Sequence, residues 1–210
     1  MFDWGDQLLD VVSLFDKGGY VMYLLLLSSI AVAAIGIERF RFYGYAKHDS
    51  DSFLDQLSAR LKARDMNATL ALCRQENSSL STVARSGVEA MIEGDDAELA
   101  MLGAHDEEAM KLRARLNYLS MIVTLAPLLG LLGTISGMIE SFNIFALQAG
   151  QPLAITGGIG EALIATATGL CVAIFALIVH TYFAQKLDEI LALLEKTMNV
   201  VLRAASKRAE

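Results

Sequence analysis

Three long runs without a formal charge dominate this chain, and they leave few folds open to it. The first is "YVMYLLLLSSIAVAAIGI", Tyr20 to Ile37. The second is "NYLSMIVTLAPLLGLLGTISGMI", Asn117 to Ile139, and the third is uncharged from Ala162 to Gln185. About 20 apolar residues span the hydrocarbon core of a bilayer as a helix. Only helices or closed barrels can cross it, because every backbone polar group must be satisfied internally. Barrel strands alternate polar and apolar over about 10 residues, and these runs do not. The expected fold is an all-α integral membrane protein with three transmembrane helices. With 54% hydrophobic residues among 210 and only two prolines, the composition agrees.

The basic residues set the expected orientation. Residues 1–19 hold one Lys, residues 38–116 hold eleven Lys or Arg, the connection between the second and third spans holds none, and five follow Gln185. The positive-inside rule then places the N-terminus outside and the C-terminus in the cytoplasm. The expected divisions are an external segment 1–19, a first span 20–38, a cytoplasmic helical segment 39–116, and a second span 117–143. A short external hairpin 144–156, a third span 157–185 and a cytoplasmic helical tail 186–210 complete the chain. The acidic start "MFDWGDQLLD" lacks the basic flank and cleavage site of a signal peptide. Cys73 and Cys171 fall in different compartments of this scheme, so no internal disulfide is expected. The net charge of −7 argues, though only weakly, against nucleic-acid binding.

The cytoplasmic parts carry helical periodicity. Phe53, Leu54, Leu57 and Leu61 share one face. "NATLALCRQE" reads as a short helix capped by Asn67, and "SSLSTVARSGVEAMIEG" as another that ends near Gly94. The segment "DDAELAMLGAHDEEAMKLRARL" runs without Pro into the second span. In the tail Leu187, Ile190, Leu191, Leu194, Met198 and Val201 form one stripe. Both later spans are therefore expected to continue as long helices into the cytoplasm. Arg39 and Arg41, just after the first span, read as inner-leaflet anchors.

Within the spans the informative faces are small or hydroxylated. In the third span Gly158, Ala162, Ala165, Gly169, Ala173 and Ala176 form one stripe, bordered by Thr166. In the second, Gly130, Thr134, Gly137 and Ser141 line up. Small residues allow close backbone approach, so one reading is packing alone. The other is a ring of subunits that turns these faces toward a central pore. Thr134 and Thr166 lie sixteen residues either side of a hairpin centred near Gly150. Equal helical rise then puts them at about the same depth. Glu140 and Glu161 match similarly, nearer the outer surface, where they either face a wet path or simply meet interfacial water. For the threonines the alternative is a bond back to a helical carbonyl. Thr does not titrate near neutral pH, so such a helix is a wall and the titrating group must come from elsewhere. No catalytic set, cofactor loop or metal-ligand spacing is visible: His48, His105 and His180 stand apart, and "GGIG" and "GLLG" have no following Lys-Ser/Thr.

"LAPLLGLLGTISGMIESF" (Leu125 to Phe142) resembles the second-span motif of the ExbB/TolQ/MotA proton-channel family. "GIGEALIATATGLCVAIFA" (Gly158 to Ala176) resembles its third-span motif, and "CRQENSSLSTVARSGVEAM" the cytoplasmic segment of ExbB-like members. Three spans suit the ExbB or TolQ branch better than MotA, which has four. The resemblance implies a homopentamer around the single spans of two ExbD/TolR-like partners, whose intramembrane carboxylate, an Asp, carries protons. It implies a bacterial inner-membrane site, work delivered to a TonB- or TolA-like envelope protein, and Thr134, Glu161 and Thr166 along the ion path. Gly130, Gly137, Ala162, Ala165, Gly169 and Ala173 would pack along the pore face. One departure is Phe175, where ExbB-like members often have Pro; without that Pro the helix should be straighter. Two other classes are a non-conducting membrane scaffold for envelope proteins and an intramembrane enzyme. The lack of a catalytic or metal-ligand set within the spans argues against the enzyme.

Overall fold

The protein is described here from a computed structural model, which covers residues 19–46, 50–147 and 152–209. Side chains are described for residues 19–44, 50–143, 158–160 and 162–206. The regular elements among these residues are all helices: α1 (Gly19–Ala46), α2 (Ser50–Lys62), α3 (Met66–Gln75), α4 (Ser79–Glu93), α5 (Ala97–Arg113), α6 (Leu116–Leu147) and α7 (Pro152–Ala209). Three helical stretches are long and apolar enough to cross a membrane: Gly19–Gly44, Ala97–Asn143 and Gly158–Ser206. Helices α6 and α7 run into the expected 144–156 connection and leave only residues 148–151 between them. The expected external segment 1–19 lies outside the described residues except for Gly19.

Two compact units divide the chain. The first comprises α1 as far as Gly36 together with Asn117–Thr181. Its α1 buries Val21, Met22, Leu25 and Val32, a stripe at helical spacing. Val21 packs on Gly133 of α6, and Gly36 meets Val179 of α7. The large apolar residues lie outside: Leu27, Leu128, Leu163 and Ile178 are each about 60% exposed. A soluble core would hide them. Here small residues line the crossing of α6 and α7 while many large ones face outward, as suits lipid or neighbouring subunits.

The second unit comprises residues 37–116 and 182–210. Its core is built as the periodicity requires. Phe53, Leu54, Leu57 and Leu61 of α2 are buried, as are Leu187, Ile190, Leu194 and Val201 of the α7 tail, while Leu191 and Met198 are half-buried. At Gly87 of α4 an added Cβ would lie 2.6 Å from Met101 Cγ of α5 and 3.2 Å from Val201 of α7. Three helices therefore meet at a position where a larger residue would overlap its neighbours.

Helix ends explain the local boundaries. Helix α3 starts one residue before Asn67: Asp65 is its N-cap and its carboxylate accepts from the Ala68 N–H. Both residues are good caps, but the helix takes the earlier one. Ser78 caps α4 with a reciprocal bond to Ser81, and Gly94 ends it in the left-handed conformation. Asp96 caps α5 by accepting from Glu98 and Leu99.

The joint between α5 and α6 is closed from α1. Ala114 keeps helical angles, yet the helix is interrupted at residues 114–115. Arg39 donates to the carbonyls of Lys111 and Leu112, each at 3.2 Å, and the Tyr43 hydroxyl donates to Leu112 at 2.8 Å. The Arg39 guanidinium also pairs with Glu38 at 2.7 Å and lies 4.7 Å over the Phe42 ring. Arg39 is only 4% exposed. It is a buried cap on helix carbonyls and not the lipid anchor expected from its position. Arg41 is exposed.

Candidate functional site

The antiparallel pair of α6 and α7 carries both membrane motifs. Its register is set by close contacts of small residues: Ala126 against Gly169, Gly130 against Thr166, Gly133 against Ala165, Gly137 against Ala162, and Ser141 against Gly158. An added Cβ on Gly169 would lie 2.6 Å from the Ala126 carbonyl oxygen and 3.0 Å from the Gly130 Cα. One on Gly130 would lie 3.0 Å from both Ala165 O and Thr166 Cα. Glycine is needed at this crossing because the backbones themselves touch. Pro127, inside α6, removes a helical donor next to that contact.

Of the six residues expected along a pore face, Gly130, Gly137, Ala162, Ala165 and Gly169 lie in this helix crossing. Ala162, Ala165 and Ala173 are buried, as are Gly130 and Gly169, and Gly137 is half-buried against Ala162. The small stripes meet inside one chain. Packing within the chain thus uses much of both stripes, while Thr134 of the α6 stripe stays partly exposed.

The hydroxyls are placed differently from the symmetric expectation. Thr166 Oγ1 donates across the pair to the Gly130 carbonyl at 2.9 Å. Thr134 Oγ1 donates back to Leu131 of its own helix at 2.7 Å. Thr166 therefore lies level with Gly130, and Thr134 sits four residues further along α6, about 6 Å of helix rise. Backbone contact fixes the register, whereas equal spacing about the connection ignores it. Thr168 and Ser141 bond to carbonyls of their own helices, Ile164 at 2.8 Å and Gly137 at 2.7 Å. Sequence spacing gave no sign that Gly130 would be the acceptor.

Glu140 is exposed on α6. Glu161 lies within α7, and its side chain is outside the described residues. Among the described residues no group of three or more His, Cys, Asp or Glu side chains is placed to hold a metal. Phe175 is 45% exposed within a continuous helix.

The fold and this helix pair define a multi-pass membrane protein whose small-residue and hydroxyl motifs lie on two packed spans. The profile of the MotA/TolQ/ExbB proton channel family matches residues 75–196, and the chain belongs to that family. It is 38% identical over 177 residues to a Synechocystis sp. biopolymer transport protein named ExbB-like 1, across 79% of this chain and 67% of that protein. It is 41% identical over 88 residues to the Tol-Pal system protein TolQ of Pseudomonas aeruginosa, covering 41% of this chain and 38% of that one. Biopolymer transport protein ExbB of Salmonella typhimurium is 36% identical over 92 residues, covering 43% of this chain and 38% of its own length.

Proposed function

We propose that this protein is the channel subunit of an ExbB–ExbD or TolQ–TolR type motor in a bacterial inner membrane, with its N-terminus periplasmic and its C-terminus cytoplasmic. Five copies enclose the single spans of two ExbD/TolR-like partners. The partner's intramembrane Asp takes up and releases protons, and the resulting movement does work on a TonB- or TolA-like envelope protein. The observation that carries this reading is the family match, which runs through both membrane motifs.

The geometry supports a wall that receives a partner's carboxyl group. Thr134 and Thr166 have both committed their protons to carbonyls. Each hydroxyl then offers lone pairs, which suit a protonated carboxyl. An ionised carboxylate needs a donor, so Thr166 must turn away from Gly130 to serve it. In an apolar wall the ionised form is penalised by desolvation. Glu140 and Glu161, nearer the expected outer surface, mark where a wetter path would begin.

Proteoliposomes provide the test. The chain alone should hold a pH gradient, because its exposed span surface is apolar. Co-reconstitution with a single-span, Asp-bearing partner should collapse the gradient, and Asp→Asn in that partner should restore it. An intact gradient with the wild-type partner bound would favour the non-conducting scaffold.

A further inference from the structure

Residues 107–116 read "EEAMKLRARL", and every residue type in that stretch ranks among the best helix formers. Lys111 adds ion pairs at helical spacing, to Glu107 at 2.7 Å and Glu108 at 2.9 Å. The nearest glycine and proline are Gly103 and Pro127. Yet the helix is interrupted at residues 114–115, although Ala114 itself keeps φ −49° and ψ −40°. Local sequence favours a continuous helix here, so the interruption is imposed from another part of the chain.

The carbonyls of Lys111 and Leu112 are the ones that the N–H groups of residues 115 and 116 would bond in an unbroken helix. In the structure both accept from the Arg39 guanidinium, and Leu112 accepts from the Tyr43 hydroxyl as well. Side chains inserted into the helical ladder are a known cause of such breaks. Glu38 neutralises Arg39 and also pairs at 3.2 Å with Arg115, a residue of the break itself. The Tyr43 ring meets Phe183 of α7 edge-on, with centroids 5.6 Å apart. All three chain crossings between the two compact units lie beside this cluster in sequence, at 36–37, 116–117 and 181–182.

Two sets of donors therefore compete for the same two carbonyls: the side chains of α1, and the backbone of the helix that the local sequence prefers. An element with two discrete arrangements of comparable hydrogen bonding is what a conformational switch requires. We propose that Arg39 and Tyr43 form a releasable latch on the α5–α6 joint. Held, it keeps the helix broken at residues 114–115. Withdrawn, it lets α5 and α6 close into one continuous helix, so that a shift of α1 reaches the second span through its own backbone.

The test measures amide hydrogen exchange in the full chain in a maltoside detergent, by mass spectrometry of peptides across residues 111–118. The double variant Arg39→Met, Tyr43→Phe removes the latch donors and keeps the side-chain bulk. It should melt lower than the parent. Exchange at residues 115 and 116 should nonetheless slow at least tenfold, because their N–H groups gain the freed carbonyls. Adding Ala114→Gly, which penalises the continuous helix, should reverse that slowing. Tyr43→Phe alone keeps Arg39 in place and the ring on Phe183, so it serves where the double variant does not fold; exchange at Leu116 should then slow at least twofold. Unchanged or faster exchange in the double variant, or in Tyr43→Phe where that variant decides, would mean that the two side chains only brace a fixed break, and would overturn the latch.

Discussion

The hydroxyl of Thr166 donates to the carbonyl of Gly130 at 2.9 Å and ties α7 to α6 across thirty-six residues of sequence. Such bonds between membrane helices are worth about 1 kcal/mol, too little to hold the fold alone. Thr166→Val should therefore leave assembly and partner binding intact. We predict that partner-dependent transport falls at least tenfold in that variant, with part retained in Thr166→Ser. Thr134→Val should cost less, because that hydroxyl bonds only within its own helix. Exposed Thr181 is the control. Full transport in Thr166→Val, with co-purification unchanged, would leave Thr166 as a packing residue.

The glycine crossing makes a prediction about stability. Gly169→Ala drives a methyl toward the Ala126 carbonyl, and backbone cannot step aside as a side chain can. Overpacking of this kind costs about 1–3 kcal/mol. Gly160 lies on the same helix with nothing within 4 Å of an added Cβ, so Gly160→Ala should show no loss. Thermal melting in one detergent compares the two; equal melting would refute the backbone contact.

Arg39 separates two roles for one cation. A lipid anchor would tolerate Lys, since either cation reaches the headgroups. A fork on the Lys111 and Leu112 carbonyls, with Glu38 on its other edge, would not. We predict that Arg39→Lys lowers melting clearly, by up to roughly 3 kcal/mol of stability, while Arg41→Lys leaves it unchanged. Similar melting of both variants would return Arg39 to the lipid surface.

These residues show what was legible in the sequence. The length of the apolar runs announced the spans, because the bilayer imposes a length on any helix that crosses it. The face of Phe53, Leu54, Leu57 and Leu61 was legible because a 3.6-residue period needs no partner to be seen. The small stripes on α6 and α7 were equally visible, but what they faced was not. Contact with another part of the same chain and contact across subunits select the same residues. Arg39 was misread for a related reason: its carbonyl partners are more than seventy residues away, and local pattern carries no such distance. The depth of Thr166 depended on where two glycines allow backbones to meet, which symmetry about the connection does not encode.

Cys73 supplies the last prediction, on topology. Its thiol is buried, and desolvation pushes its pKa up to about 11. The thiolate is the reactive form, so native Cys73 should resist maleimide near neutral pH from either side and label only after unfolding. Its silence in intact cells would carry no topological information. The raised pKa also has a sign for stability: the protonated thiol is favoured in the folded state below pH 9. That advantage is lost as pH rises through about 11, so the second unit should weaken over this window. Replacing Cys73 with Ser should flatten that part of the profile. For the topology itself, exposed Ala71 is the better position. In a chain with Cys73→Ala and Cys171→Ala, Ala71→Cys should react with an impermeant maleimide in inverted inner-membrane vesicles but not in intact spheroplasts, because sixteen of the seventeen Lys and Arg residues lie on its side of the expected membrane plan. Labelling in spheroplasts with none in inverted vesicles would reverse the orientation.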